Sequence, residues 1–264
     1  MSQKTESLLM SLRSFKVHRV PAGSAHVKIS GLGVIDSKQV SGLPDGALFE
    51  FCGETFVVLG EAGLGEMLAT AERCAQIITL KDIGPVVARL GIRPNSKVVE
   101  VGAGSGYMTI SLAHFVGENG KVETHEIEPK SVALVRKNLE SAGLGDRVSF
   151  VEGDAAEHRG AGDSDAFVAD MPNPWDVLQF AESSLKPGKW AAFYTPSANQ
   201  VERLTKQLRI RGWAQDFAIE TLERQMVVGE HGIRPSFEML GHTGYLTFAR
   251  WLGAEAAARL AGKK

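Results

Sequence analysis

The chain has 264 residues, 44% hydrophobic and 23% charged, the balance of a folded soluble protein rather than a disordered or fibrous one. Lys and Arg number 29 and Asp and Glu 31, for a formal net charge of −2, which excludes a uniformly basic nucleic-acid binder. The charge is uneven: residues 96–199 hold nine basic and fifteen acidic residues, whereas 200–264 hold ten and seven.

Residues 1–14 read as a loose helix or a disordered start. From 17 to 60 the texture changes to short β-branched and aromatic runs, Ala25–Ile29, Gly33–Ile35, Leu48–Phe51 and Thr55–Leu59, separated by Gly-, Pro- and Asp-containing turns. That pattern predicts a small all-β unit over residues 1–65, followed by a larger domain over 66–264. Asp82 is a candidate N-cap for a helix Ile83–Leu90, which Gly91 ends. From Lys97 the pattern alternates strand and helix, the mark of a mostly parallel α/β sheet. Strands are expected at Lys97–Val101, Lys121–Ile127, Arg147–Glu152, Ala166–Asp170, Lys189–Thr195, Gln215–Leu222 and His242–Ala249. Helices are expected at Tyr107–Phe115, Pro129–Ala142, Pro174–Leu185 and Asn199–Arg211.

Cys52 and Cys74 belong to no CxxC motif, and the seven histidines form no HExxH motif, so neither a disulfide framework nor a metal site is expected. There is no run of about 18 apolar residues and no signal-peptide pattern at the start, so a cytoplasmic location is expected.

The strongest motif is Glu100-Val-Gly102-Ala-Gly104-Ser105-Gly106 at the end of a buried strand and the start of a helix. Glycines there permit positive φ and close ligand approach, and the helix start offers free N–H groups. The spacing is G-x-G-x-G, and the third glycine of the dinucleotide fingerprint G-x-G-x-x-G falls on Tyr107. The form resembles the first motif of class I S-adenosylmethionine-dependent methyltransferases. Glu126 ends the next strand, 20 residues past Gly106, where an acid meets ribose hydroxyls; Glu128 is the alternative. Asp154 follows the third strand, either as an acceptor for the cofactor's adenine or as a turn residue. Asp170 ends the fourth strand, next to the stiff segment Pro172-Asn-Pro174-Trp175. It is either placed near the transferable methyl or a loop-stabilising acid. Trp175 either stacks on a base or packs under the loop.

Taken together these segments resemble the tRNA (adenine-N1-)methyltransferase family over nearly the whole chain. The carriers are Arg73-Cys-Ala-Gln76-Ile-Ile78 with Lys81-Asp82, the Asp170–Trp175 loop, Tyr194-Thr-Pro196 with Gln200, Arg224, Arg234-Pro235 and Gly241-His242-Thr-Gly-Tyr-Leu246. The resemblance implies a class I, Rossmann-like fold: a mostly parallel sheet with an antiparallel strand near the C-terminus, preceded by a small β-rich N-terminal domain. It implies methylation of N1 of the T-loop adenosine at tRNA position 58, with 57 as a second candidate. It further implies S-adenosylmethionine bound by Gln76, Glu100, Gly102, Gly104, Ser105, Gly106, Glu126, Asp154 and Asp170. Asp170 is the expected catalytic residue, and Trp175, Tyr194, Arg234 and His242 are the expected contacts to the target base or tRNA. Arg224, Arg250, Lys206, Arg209 and Arg211 are candidates for phosphate contacts. A homotetramer is implied as well. One departure is Thr79, where the family often has Tyr or His. Competing readings are another class I methyltransferase, acting on isoaspartyl protein or a small molecule, and a non-catalytic tRNA-binding subunit.

Overall fold

A computed structural model describes residues 6–21, 26–29, 31–60, 62–229 and 232–261. It contains two compact units, Met1–Glu72 with Glu140–Gly143, and Arg73–Leu139 with Leu144–Lys264.

The first unit carries β1 (Glu6–Ser11), β2 (Val17–Pro21), β3 (Val27–Ile29), β4 (Gly33–Ile35), β5 (Leu48–Phe51), β6 (Glu54–Leu59) and α1 (Leu64–Thr70). The order β2-β1-β6-β5 makes an antiparallel sheet, and β3 and β4 pair as a separate hairpin. Leu9, Val20, Ile29, Ile35, Val40, Phe56 and Val58 form its core. β1 stands where a loose helix or disordered start was expected. It is an inner strand paired on both edges, and adjacent Leu8 and Leu9 are both buried. It therefore lacks the alternation that marks a one-sided strand. Ala25, at the head of an expected strand, lies outside the described residues.

The second unit opens with α2 (Leu80–Leu90), then β7 (Lys97–Val101), α3 (Tyr107–Val116), β8 (Lys121–Glu126), α4 (Pro129–Ser141), β9 (Val148–Glu152) and β10 (Ser164–Asp170). It continues with α5 (Leu178–Ser184), β11 (Leu185–Thr195), α6 (Ala198–Ile210), β12 (Ala214–Ile219), β13 (Met226–Gly229), β14 (Gly232–Pro235), β15 (Tyr245–Trp251) and α7 (Ala254–Ala261). Seven strands form one sheet in the order β12-β15-β11-β10-β7-β8-β9. All neighbours are parallel except β15, which runs antiparallel to both β11 and β12. This is a mostly parallel α/β sheet with one antiparallel strand near the C-terminus, as the resemblance implied.

Three further local expectations need correction. Asp82 is not the N-cap of α2; Thr79 holds that position, and Asp82 lies inside the first turn, fully buried. The expected helix Pro174–Leu185 is a 3-10 turn, Pro174–Val177, followed by the shorter α5. β11 begins at Leu185 and carries the Pro187-Gly188 break within it, since its first residue already pairs with Ser164. The β13–β14 hairpin and α7 were not anticipated. The hairpin side chains are exposed, so burial leaves no period to read there.

The sheet reverses its strand order between β7 and β10, the crevice where open α/β sheets receive ligands. Gly102 makes this junction. Its φ is +85°, and a Cβ there would lie 2.0 Å from the Asp170 carbonyl oxygen. Gly106 is confined less severely, with a Cβ at 2.9 Å from Val135 Cγ1. Gly104 also has positive φ, but a Cβ would meet nothing within 4 Å. Gly102→Ala should therefore cost more than ~4 kcal/mol or prevent folding, while Gly104→Ala should cost only the left-handed backbone penalty of about 1–2 kcal/mol. Denaturant unfolding of the two variants checks this ranking; equal losses would contradict it.

Candidate active site

The carboxyl ends of β7, β8, β9 and β10 surround a cavity of about 400 Å³. Its walls include Gly102, Gly104, Glu126, Ile127, Ser131, Asp154 and Asp170. A smaller crevice at the glycine turn is lined by Gln76, Ile77, Ile78, Gly102, Gly104, Ser105 and Asp170. Gly102, Gly104 and Asp170 thus face both. Of the residues expected to bind the cofactor, only Glu100 and Gly106 line neither.

Each acid is held differently. Glu126 Oε2 accepts from Gly104 N–H at 3.1 Å and Oε1 from Glu128 N–H at 2.9 Å. The two backbone donors aim its carboxylate at the glycine turn. Asp154 Oδ1 accepts from Ala156 N–H at 2.9 Å and caps the short 3-10 turn that follows. Both proposed roles of Asp154 are therefore compatible, one oxygen serving the turn while the residue lines the cavity. Glu100 is buried beneath the turn. Thr124 Oγ1 donates to its Oε2 at 2.8 Å, and its Oε1 has no hydrogen-bond partner.

The acids are crowded. Burial pushes Glu100 up to about 7; the Thr109 and Thr124 hydroxyls counter this, and Asp170 and Glu126 add repulsion. Asp170 is also pushed to about 7, first by loss of water and then by the Glu126 charge. The Thr109 hydroxyl is near Glu100 but outside hydrogen-bonding geometry, since its Oγ1 is itself unpartnered. Like charges at a low-dielectric junction disfavour ionisation, and a cationic ligand reverses the effect.

Ser105 has a different surrounding from the one expected. Its Oγ accepts from Cys74 N–H at 3.1 Å and Ala75 N–H at 2.9 Å and donates to Ala75 O at 3.2 Å. The hydroxyl pins segment 74–75 to the glycine turn. Arg73 adds a second pin, Nε donating to Tyr107 Oη at 2.7 Å.

The residues expected to meet the base or tRNA lie outside the main cavity. Tyr194 is in register with Asp170 on the adjacent parallel strand. It is 7% exposed, and its hydroxyl donates to Thr243 O at 2.5 Å. Burial, with the Asp82 and Asp170 charges, raises it to about 12, against the Thr243 hydrogen bond. Trp175 packs on the core and carries the Arg203 guanidinium 3.9 Å over its ring. His242 faces Glu220 Oε1 at 2.6 Å through Nδ1 and Pro196 O at 2.9 Å through Nε2. Both partners are acceptors, so the ring serves both only as an imidazolium, and its pKa is raised, chiefly by Glu220. Arg234 stacks on Phe237 in the exposed hairpin segment. Three of the candidate phosphate contacts are already paired, Lys206 with Glu202, Arg209 with Asp216 and Arg211 with Glu182. Arg250 stacks on Trp190.

Sequence reasoning missed Ile127, a cavity wall residue that is 68% exposed. An apolar residue at a strand end reads as core until the missing cover is seen. Among the described residues no group of three metal-binding side chains occurs, and no helix is long and apolar enough to cross a membrane.

Residues 68–234 match the family described as tRNA methyltransferase complex GCD14 subunit. The chain is 33% identical over 247 residues to the tRNA (adenine(57)-N(1)/adenine(58)-N(1))-methyltransferase TrmI of Methanocaldococcus jannaschii, covering 83% of this chain and 86% of that one. It is 32% identical to tRNA (adenine(58)-N(1))-methyltransferase TrmI of Thermus thermophilus, covering 71% and 74%. Among solved structures, a SAM-dependent O-methyltransferase of Thermotoga maritima superposes with TM-score 0.82 at 27% identity, covering 96% of this chain and 94% of that one. The tRNA (m1A58) methyltransferase TrmI of Aquifex aeolicus superposes with TM-score 0.75 at 26% identity, covering 95% and 98%.

The acid cluster has a pH consequence of its own. Glu100 and Asp170 keep protons in the folded chain up to about pH 7, which an unfolded carboxyl releases near pH 4. Folding therefore takes up protons in that window, and stability of the unliganded protein falls as pH rises from about 4 to 7. Asp170→Asn should flatten this slope and raise the melting temperature at pH 8 by a few degrees. Melting curves at pH 5 to 8 check it; a slope equal to that of the parent would contradict it.

Proposed function

The chain belongs to the family described as tRNA methyltransferase complex GCD14 subunit, and from that premise we propose that it methylates N1 of adenine 58 in tRNA, using S-adenosylmethionine. The observation that carries the reading is Asp170, an acid held at the strand-order reversal that lines both the main cavity and the smaller crevice at the glycine turn.

The residues fit S-adenosylmethionine. Glu126 and Asp170 line the cavity at the junction, with Glu100 buried beneath them, and this concentration of acids suits a ligand that is itself cationic. Gly104 leaves open space where a side chain would stand. Glu126 would accept from the ribose hydroxyls, Asp154 from the adenine amine, and Ile127 would cover the adenine face. Gln76 and the glycine turn would hold the amino-acid end, with Glu100 supporting the turn from below. Ser105 acts in this scheme by fixing the Gln76 segment. When bound, the cofactor supplies an activated methyl on a sulfonium.

Adenine N1 carries an in-plane lone pair at neutral pH, so no strong base is needed to expose it. The protein's task is alignment, which supplies up to ~7–11 kcal/mol in favourable cases. Alkylation leaves a cationic adenine. Asp170, accepting from the exocyclic amine, would raise electron density at N1 and stabilise the charge that develops. To accept it must be ionised, and a cationic neighbour lowers its pKa from the crowded value. T-loop position 58 is paired in folded tRNA, so the base must be turned out to reach the cavity.

Homo-oligomerisation completes the proposal. Segment 226–240 exposes Met226, Val228, Ile233, Phe237 and Leu240, an apolar stretch that a second copy would cover. Several copies would also pool the modest positive charge of 200–264 for tRNA. The same reading puts the enzyme in the cytoplasm with its substrate.

Incubation with labelled S-adenosylmethionine and unmodified tRNA transcript, followed by mapping, tests the activity. The expected product is 1-methyladenosine at position 58. Methyl transfer to protein or small molecules alone would favour a different class I enzyme, and failure to bind the cofactor would favour a non-catalytic subunit. Asp170→Ala should retain cofactor binding and lose at least 100-fold in turnover; unchanged turnover would remove Asp170 from the mechanism.

A further inference from the structure

Lys81 and Asp82 open α2 and take no part in the cavity, yet both are withdrawn from water, with side-chain exposures of 11% and 0%. Lys81 Nζ lies 2.9 Å from each Asp82 oxygen. Asp82 also accepts from Thr243 Oγ1 at 2.9 Å, from Thr79 Oγ1 at 3.1 Å and from Thr221 Oγ1. Lys81 Nζ donates further to Thr221 O at 2.9 Å and Thr243 Oγ1 at 2.6 Å.

Thr221 follows β12 and Thr243 precedes β15, so one buried ion pair grips both roots of the segment 222–242. A buried ion pair is a weak source of stability, because desolvation offsets the attraction. What it fixes is relative position, here of three chain segments distant in sequence.

The connection runs on toward the reaction. The carbonyl of Thr243 accepts from Tyr194 Oη. The ring of Tyr194 lies against Gly244, where a Cβ would stand 2.4 Å from Cζ. Tyr194 is the in-register neighbour of Asp170. Thr79 belongs to the same network. At the position where the resembled family often has an aromatic or imidazole ring, this chain has a hydroxyl bound to Asp82.

We propose that Lys81 and Asp82 are positioning residues for methyl transfer: they seat Thr243, and through it Tyr194, against the Asp170 strand end. This rests on the tRNA methylation reading. Neither residue touches the reacting atoms; both act through the 243–244 segment, and the same grip holds the roots of 222–242.

The test is steady-state methylation of unmodified tRNA transcript by the full chain carrying Asp82→Asn, Thr243→Val, Thr243→Ser or Tyr194→Phe, and by the Asp82→Asn/Tyr194→Phe double variant, with the dissociation constant for S-adenosylmethionine measured beside each. Asp82→Asn and Thr243→Val are expected to lower kcat at least tenfold with cofactor affinity unchanged within twofold. Thr243→Ser, which restores the hydroxyl, is expected to restore turnover. The double variant is expected to be no worse than its poorer parent, because both changes break one connection. Wild-type kcat in Asp82→Asn would overturn the proposal, as would an effect that multiplies with Tyr194→Phe. Should Asp82→Asn not fold, the Thr243→Val and Thr243→Ser pair decides alone, with equal turnover overturning the proposal. Absence of 1-methyladenosine with the parent protein would instead remove the functional reading on which it rests.

Discussion

The close approach of β7 to β10 at Gly102 governs the rest of the catalytic unit. The backbone of one strand end lies where a side chain would collide with the carbonyl of Asp170, so the two strand ends meet without a spacer. That contact places Asp170 beside the glycine turn. It also brings the Asp170 charge close enough to the buried Glu100 to raise it, with Glu126 acting on both. The crowding is unfavourable in the empty protein. A cation entering the site would relieve it, and in the proposed reading that cation is the cofactor's sulfonium.

A second group of polar residues in the same unit has the opposite character. Asp82 is as buried as Glu100, but it is surrounded by Lys81 and three hydroxyls. No ligand is needed to satisfy it. One acid group is completed from within the chain; the other leaves Glu100 Oε1 without a hydrogen-bond partner. Tyr194 stands between them and feels both Asp82 and Asp170.

The parts legible in the sequence were those whose signals are local. Strand β7, the glycine turn and α3 follow from one contiguous run, because burial, positive φ and a helix start each leave a residue-type mark within ten positions. Glu126 and Asp170 were found by counting to strand ends. β1 was missed because a strand buried on both faces carries no alternation. The hairpin β13–β14 was missed because its exposed side chains follow no burial period. Ser105 was legible as a residue of the glycine turn, but not the bonds of its hydroxyl to residues 74–75, thirty positions away. Lys81 and Asp82 stood out only as a motif and, for Asp82, as a candidate N-cap, since their partners Thr221 and Thr243 lie about 140 and 160 positions further on and nothing local marks them. Position 79 shows the same limit: the sequence displayed the substitution, and only the fold shows that the threonine hydroxyl joins the Asp82 network.

The central claim is that the acids at the strand reversal wait for a positive charge. It is tested by the affinities of S-adenosylmethionine and its uncharged thioether product, S-adenosylhomocysteine, measured by calorimetry at pH 6 and pH 8. The two ligands differ only in the sulfonium methyl and the charge it confers, so the change with pH in the ratio of their dissociation constants reports the charge. One carboxylate that titrates near 7 in the empty site and ionises on binding changes affinity by about tenfold over this range. The account therefore expects preference for the sulfonium to grow by about that factor from pH 6 to pH 8, with protons released on binding. A preference independent of pH, with no proton released, would contradict it.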